Sequence, residues 1–283
     1  MIERQSARLT QAGVSFGHGT SNAFDEAVWL ALWRLGLPLD ELDSVAERDL
    51  TADEHAAIEA LIERRIATRQ PAAYLTREAW LQGVAFYVDE RTIVPRSPIA
   101  EVLADGTLDA WLSPATRRVL DLCTGNGSLA VLAALAWPEV TVDAADLSAD
   151  ALAVARINID KHQLADRIAL HQGDGLTALA GRRYDLILCN PPYVNAASMA
   201  ALPAEYRAEP ALALAGGNDG MDFIRGLIEQ ALAHMTEQAV LVLEIGHEWP
   251  HFDAAFPDLE SVWLPTSAGE DQVLLLTREA LAR

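Results

Sequence analysis

The chain has 283 residues, 51% of them hydrophobic, which supplies a substantial core and excludes a disordered protein. Lys and Arg total 21 against 41 Asp and Glu; the resulting net charge of −20 repels phosphate backbones and favours basic partners. No apolar run is long enough to span a bilayer, the first residues lack the basic-then-apolar order of a secretion signal, and Cys123 and Cys189 alone exclude a disulfide scaffold. A cytoplasmic protein is expected.

The first seventy-odd residues read as helical. Asn22 to Arg34 is rich in apolar residues, with Ser21 or Asn22 as cap and Gly36 and Pro38 as its end. Thr51-Ala52-Asp53-Glu54 is a capping box. The helix it opens carries Ile58, Leu61, Ile62 and Ile66 on one face and stops before Pro71. Catalytic residue types do not cluster here. A small helical domain over 1–79, packing on a partner or holding a substrate, is expected.

Between 80 and 97 the period changes. Phe86-Tyr87-Val88 and Thr92-Ile93-Val94, separated by Asp89-Glu90-Arg91, read as a β-hairpin linker. Ser97 reads as the N-cap of the next helix, with Pro98 at its first position.

Over 98–283, strands and helices alternate from Arg118 onward, the pattern of a parallel sheet covered on both faces. Val119 to Cys123 is the first strand, Thr124-Gly125-Asn126-Gly127-Ser128 a tight turn, and Leu129 to Ala136 a helix. Gly125 and Gly127 permit the turn and the close approach of a ligand. Asp146 closes the second strand nineteen residues after Gly127, placed to accept hydrogen bonds from ribose hydroxyls. Ser148 caps a helix to about His162. Gly173-Asp174-Gly175 follows the third strand, with Asp174 placed to bond an exocyclic amine of adenine.

The fourth strand, 184–189, is stopped by Asn190-Pro191-Pro192-Tyr193. The prolines fix the direction of the local carbonyls, and Asn190 adds a side-chain oxygen at the strand's carboxyl end. Two oxygen acceptors beside an aromatic ring make a socket for a planar NH2 group. An alternative stays open. Gly125 to Ala130 satisfies the dinucleotide fingerprint G-x-G-x-x-A and Asp146 sits where that fingerprint wants its acid, as in an NAD-dependent dehydrogenase. A dehydrogenase has no use for Asn-Pro-Pro-Tyr there, whereas an amine-methylating enzyme does. The seven histidines show no metal-ligand spacing.

Asn190-Pro191-Pro192-Tyr193 behind such a turn resembles the amino-methyltransferases that use S-adenosylmethionine. The wider chain resembles their HemK/PrmC group, the protein-(glutamine-N(5)) methyltransferases, and most of all its PrmB branch, which acts on the third large-subunit ribosomal protein. The likeness rests on Pro71 to Thr76, Phe86 to Arg91, Val94 to Ile99, Asp121 to Gly125, Glu205 to Pro210 and Ala213 to Gly217, and runs from about residue 20 to Thr277. Cys123 departs from the wider group's Gly but suits this branch, and Ala100 stands where Gly is expected.

The resemblance implies a Rossmann-like class I methyltransferase fold. Its seven-stranded, mostly parallel sheet has helices on both faces and an antiparallel last strand. The remaining chain offers a helix near 219–235, a strand at 239–245 and shorter strands near 261–265 and 272–276, with 194–218 as a lid. It also implies S-adenosylmethionine as methyl donor, S-adenosylhomocysteine as product, and no metal. Asp121, Cys123, Thr124, Gly125, Asn126, Gly127, Asp146, Asp174, Gly175 and Asn190 would bind the cofactor, and Asn190, Pro191, Pro192 and Tyr193 would be catalytic. The implied partner is a basic ribosomal protein, with no direct DNA binding and no membrane. A release-factor glutamine and a DNA adenine are the alternative acceptors; the acidic balance argues against DNA.

Overall fold

Local signals set the N-terminal helices. A computed structural model describes residues 1–39 and 41–283. After a first helix, Ile2–Gln11, the Asn22 side chain accepts the Asp25 N–H and opens the helix Ala23–Leu35, which ends at Gly36 in the left-handed region. Thr51 and Glu54 exchange both bonds of the expected capping box at the start of Ala52–Thr68. The three helices meet around Leu9, Ala27, Leu30, Ile58 and Ile62, all fully buried.

A hairpin follows, but earlier than expected. Its strands are Ala79–Leu81 (β1) and Val84–Phe86 (β2), paired antiparallel. Gln82 and Gly83 form the two-residue loop, both with positive φ, at 50° and 74°. Residues 87–94 form no strand because side chains take their backbone groups. Asn158 bonds both the N–H and the C=O of Tyr87, Tyr74 donates to the Thr92 carbonyl, and Glu209 accepts the Val94 N–H. Ser97 accepts the Ile99 N–H at 3.3 Å, but the helix Ile99–Ala104 starts one residue later than expected, with Pro98 at its N-cap instead of its first position.

The seven-stranded sheet comprises Arg118–Leu122 (β3), Thr141–Asp146 (β4), Ile168–Gln172 (β5), Tyr184–Cys189 (β6), Met235–Glu244 (β7), Val262–Trp263 (β8) and Val273–Thr277 (β9). Their spatial order is β5-β4-β3-β6-β7-β9-β8. Strands β3 to β7 are mutually parallel, and β9 runs antiparallel to both of its neighbours. One core, containing Val119, Leu186 and Leu188, covers one face; another, with Leu120, Ile187 and Leu241, covers the other. Alternate residues of each strand therefore feed opposite cores.

Chain order runs outward from β3 to β5, then returns to β6 and continues the other way. The topological switch lies between β3 and β6, and ligands of open parallel sheets bind beyond the carboxyl ends at such a point. Register pairs Leu122 with Cys189, so the turn after β3 and Asn190 after β6 emerge side by side. No helix among the described residues is long and apolar enough to cross a membrane.

Candidate active site

The turn after β3 is held from beneath. Asp121 is fully buried, and its Oδ2 accepts the Thr124 hydroxyl at 2.5 Å and the Ala130 N–H at 2.9 Å. Burial, and to a lesser degree the charge of Asp146, push the Asp121 carboxyl up to about 7 against those two bonds. Cys123, Gly125 and Gly127 all have positive φ. A Cβ at Gly127 would come within 3.1 Å of the Ala155 Cβ, so glycine there lets the helix Ala149–Lys161 pack on the turn. A Cβ at Gly125 would touch no atom within 4 Å and would project into a cleft.

That cleft encloses about 800 Å³, partly open to solvent. Cys123, Gly125, Asp146, Asp174, Gly175, Asn190 and Pro192 line it. Asp121, Thr124, Asn126 and Gly127 do not: Asp121 braces the turn from below, and the other three belong to the turn itself. Asp146 bonds the Gly125 N–H at 2.9 Å and the Ser148 N–H at 2.8 Å, tying the turn to the end of β4. Burial raises its pKa despite these bonds. Leu122, Leu147, Leu212 and Phe223 add apolar walls. Two carboxylates, apolar walls and open space over a glycine suit a nucleoside with a polar tail.

A second cavity, of about 940 Å³, adjoins the first and shares Ile93, Asn190 and Ala213 with it. Pro191, Tyr193, Arg96, Tyr206 and Glu244 are among the residues that complete it. Asn190 thus borders both cavities. Tyr193 is held on every side. Its hydroxyl donates to Glu244 Oε1 at 2.8 Å, and a Cβ at Gly246 would sit 2.5 Å from its ring. A Cβ at Gly220 would meet its carbonyl oxygen at 2.2 Å. Burial, then the charge of Glu244, push its pKa well up. One residue on, Val194 exchanges backbone bonds with Leu214 and Gly216 at 2.8 and 2.9 Å.

The stretch 194–218 contains short helices at Ala196–Ala201 and Ala204–Arg207 and is pinned by buried charges. Glu205 accepts from Arg65 at 3.2 Å and Arg69 at 2.6 Å, and Arg65 also binds Glu26 at 2.8 Å. His18 lies 3.4 Å from Glu209, and its ring is 4.2 Å from that of Tyr206. The expected lid is therefore fastened to the N-terminal helices. Sequence reading missed the parts of the site contributed from a distance: Arg91 to Ile93, Leu147, Leu212, Phe223 and Glu244. Only Glu244 carries a local signal, an acid closing the apolar run Leu241-Val242-Leu243.

Residues 102–206 match the methyltransferase small domain model and residues 1–76 the PrmC N-terminal domain model. The hMettl16 catalytic domain, solved in complex with the MAT2A 3'UTR hairpin 1, superposes with a TM-score of 0.54 over 80% of each chain at 13% identity. A methyltransferase from Pyrococcus furiosus superposes at 0.51 over 78% of this chain and 97% of that one, at 18% identity. These two share the fold. Much nearer in sequence are ribosomal protein uL3 glutamine methyltransferases. The Bordetella pertussis enzyme is 54% identical over 99% of this chain and 95% of its own length. The Burkholderia pseudomallei enzyme is 55% identical over 98% and 92%, and that of Neisseria gonorrhoeae 48% over 97% and 92%. The chain belongs to the ribosomal protein uL3 glutamine methyltransferase family.

Proposed function

We propose that this chain transfers a methyl group from S-adenosylmethionine to the side-chain amide nitrogen of a glutamine in ribosomal protein uL3, in the cytoplasm. The position of Asn190 on the border of the two cavities supports this most directly. The first cavity would hold the cofactor. Asp146 would accept from its ribose hydroxyls and Asp174 from its exocyclic amine, with Phe223 and Leu147 against the base and Gly125 leaving room. When bound, the cofactor supplies a methyl group already activated on a sulfonium.

The second cavity would take the glutamine. Its amide nitrogen is a poor nucleophile because the lone pair is delocalised into the carbonyl. The Asn190 side-chain oxygen and the Pro191 carbonyl would each accept one of its N–H bonds. That orients the nitrogen toward the first cavity and stabilises the positive charge that develops on it. Tyr193 would wall the amide. No base need act before the N–C bond forms; the nitrogen then sheds one proton. Positioning does much of the work.

Asn190→Ala tests the assignment. The variant is expected to fold, to bind S-adenosylmethionine nearly normally, and to lose about 10²–10³ in turnover. Turnover that simply tracks the amount of folded protein would reduce Asn190 to a turn residue.

A further inference from the structure

Glu244, the last residue of β7, is almost wholly buried, and among the described residues it forms no salt bridge; its carboxylate bonds hydroxyls instead. Arg96, whose charge acts on Glu244, is itself bonded to Glu209, at 2.6 and 2.8 Å. Glu244 binds two hydroxyls: Ser97 donates to Oε2 and Tyr193 to Oε1. These come from segments far apart in the chain, one preceding the helix Ile99–Ala104 and one following β6. Burying a carboxylate without an ion pair is costly, and an apolar side chain would fill the space at lower cost. Three glycines around Tyr193, at 216, 220 and 246, leave space that any Cβ would take from it. Glu244 and Gly246 act on the aromatic ring itself, and Gly216 and Gly220 on the backbone that carries it.

We infer that Glu244 is a positioning residue for methyl transfer: it holds the Tyr193 hydroxyl, fixes the ring as a wall of the acceptor cavity, and sets a negative charge at that cavity's end. The inference rests on the reading of Asn190 to Tyr193 as the acceptor site. A ring tethered at its hydroxyl cannot swing, so the amide lies against one surface and faces one way. During transfer, positive charge moves from the cofactor cavity to the acceptor nitrogen, and an anion beside the acceptor favours that direction. Burial pushes the Glu244 carboxyl up to about 7, against the Ser97 and Tyr193 bonds and the Arg96 charge. The groups facing it are Arg96 and Ser97 from the segment before the helix, Tyr193 and Cys189 from the end of β6, and exposed His247 on its own turn.

The experiment uses the full chain, labelled S-adenosylmethionine and purified uL3, and compares Glu244→Gln, Tyr193→Phe, the double variant and Ser97→Ala. Glu244→Gln is expected to lower kcat about 10–100-fold with cofactor Kd within about twofold. Tyr193→Phe is expected to lose a similar factor, and the double variant no more than the larger single loss, because one residue acts through the other. Wild-type kcat is expected to rise with pH through about 7, as Glu244 ionises, and this step is expected to vanish in Glu244→Gln. Wild-type kcat in Glu244→Gln, or losses that multiply in the double variant, would overturn the inference. Should Glu244→Gln fail to fold, Tyr193→Phe and Ser97→Ala, which keep the carboxylate, decide: a lowered kcat in both supports it, and wild-type kcat in either contradicts it. Asn190→Ala separates the two readings. If it retains full turnover, the acceptor site itself is misassigned; if it loses turnover while the Glu244 and Tyr193 variants do not, only the role of Glu244 falls.

Discussion

Glu209 and Arg96 form a two-pronged ion pair, at 2.6 and 2.8 Å, beside the second cavity, which Arg96 lines. Glu209 also takes the Val94 N–H at 2.8 Å and lies 3.4 Å from His18. One carboxylate thus joins the N-terminal region, the segment after the hairpin and the stretch beyond β6.

Burial alone would raise the pKa of Glu209, but Arg96 and His18 outweigh it and hold the group at about 2, below its ordinary 4.5. A lowered folded-state pKa gives stability that is fully present above about pH 4.5 and lost as pH falls through about 2. The contribution is roughly 3 kcal/mol at 1.4 kcal/mol per unit. Glu209→Gln is expected to cost about 3–5 kcal/mol at pH 7, because Arg96 then loses its charge partner. It should also flatten the loss of stability between pH 5 and 2. Urea unfolding at several pH values checks both, and an unchanged acid limb would contradict the assignment.

Gly246→Ala sets a methyl group 2.5 Å from the Tyr193 ring, at a residue with φ 54°. The expected result is a loss of about 1–3 kcal/mol in stability and a fall in kcat of at least about tenfold. Cofactor affinity should change little, since Gly246 does not line the first cavity. Wild-type kcat in this variant would mean that the ring position is unimportant.

Asp146→Ala is expected to weaken S-adenosylmethionine binding by about 1–3 kcal/mol, through lost charge-assisted bonds to the diol. Part of that loss reflects the turn, since Asp146 also holds the Gly125 N–H. Calorimetry should show no binding of NAD; tight NAD binding would favour a dehydrogenase.

The elements legible in the sequence were those specified locally. The capping box at Thr51, the glycine turn, the strand alternation and the Asn-Pro-Pro-Tyr stop each depend on neighbouring residues, and each stands where expected. The hairpin lies earlier than expected because Thr92-Ile93-Val94 looks like a strand: it is β-branched throughout, but its backbone partners, Tyr74 and Glu209, are remote in sequence. The local turn signal is Gln82-Gly83, four residues before the expected first strand begins. In the cofactor set that the resemblance implies, Asp121 and Asn126 do not line the cleft: Asp121 accepts from Thr124 and Ala130, and Asn126 accepts the Ser128 N–H, so both brace the turn. Leu212 and Phe223 reach the cleft only through tertiary packing, which no local pattern announces.

The net charge of −20 predicts faster capture of a basic substrate at low ionic strength. Stopped-flow association with uL3 is expected to slow as salt rises from about 0.05 to 0.3 M, where the Debye length shrinks below about 10 Å. A salt-independent association rate would remove charge steering from the account.

Transfer of labelled methyl from S-adenosylmethionine into purified uL3, with the modified residue located by mass spectrometry, tests the central claim most directly. The expected product is a single glutamine carrying one methyl on its amide nitrogen, absent when Asn190→Ala replaces the wild-type chain. Label on lysine, on arginine or in DNA, or glutamine methylation undiminished in Asn190→Ala, would contradict it.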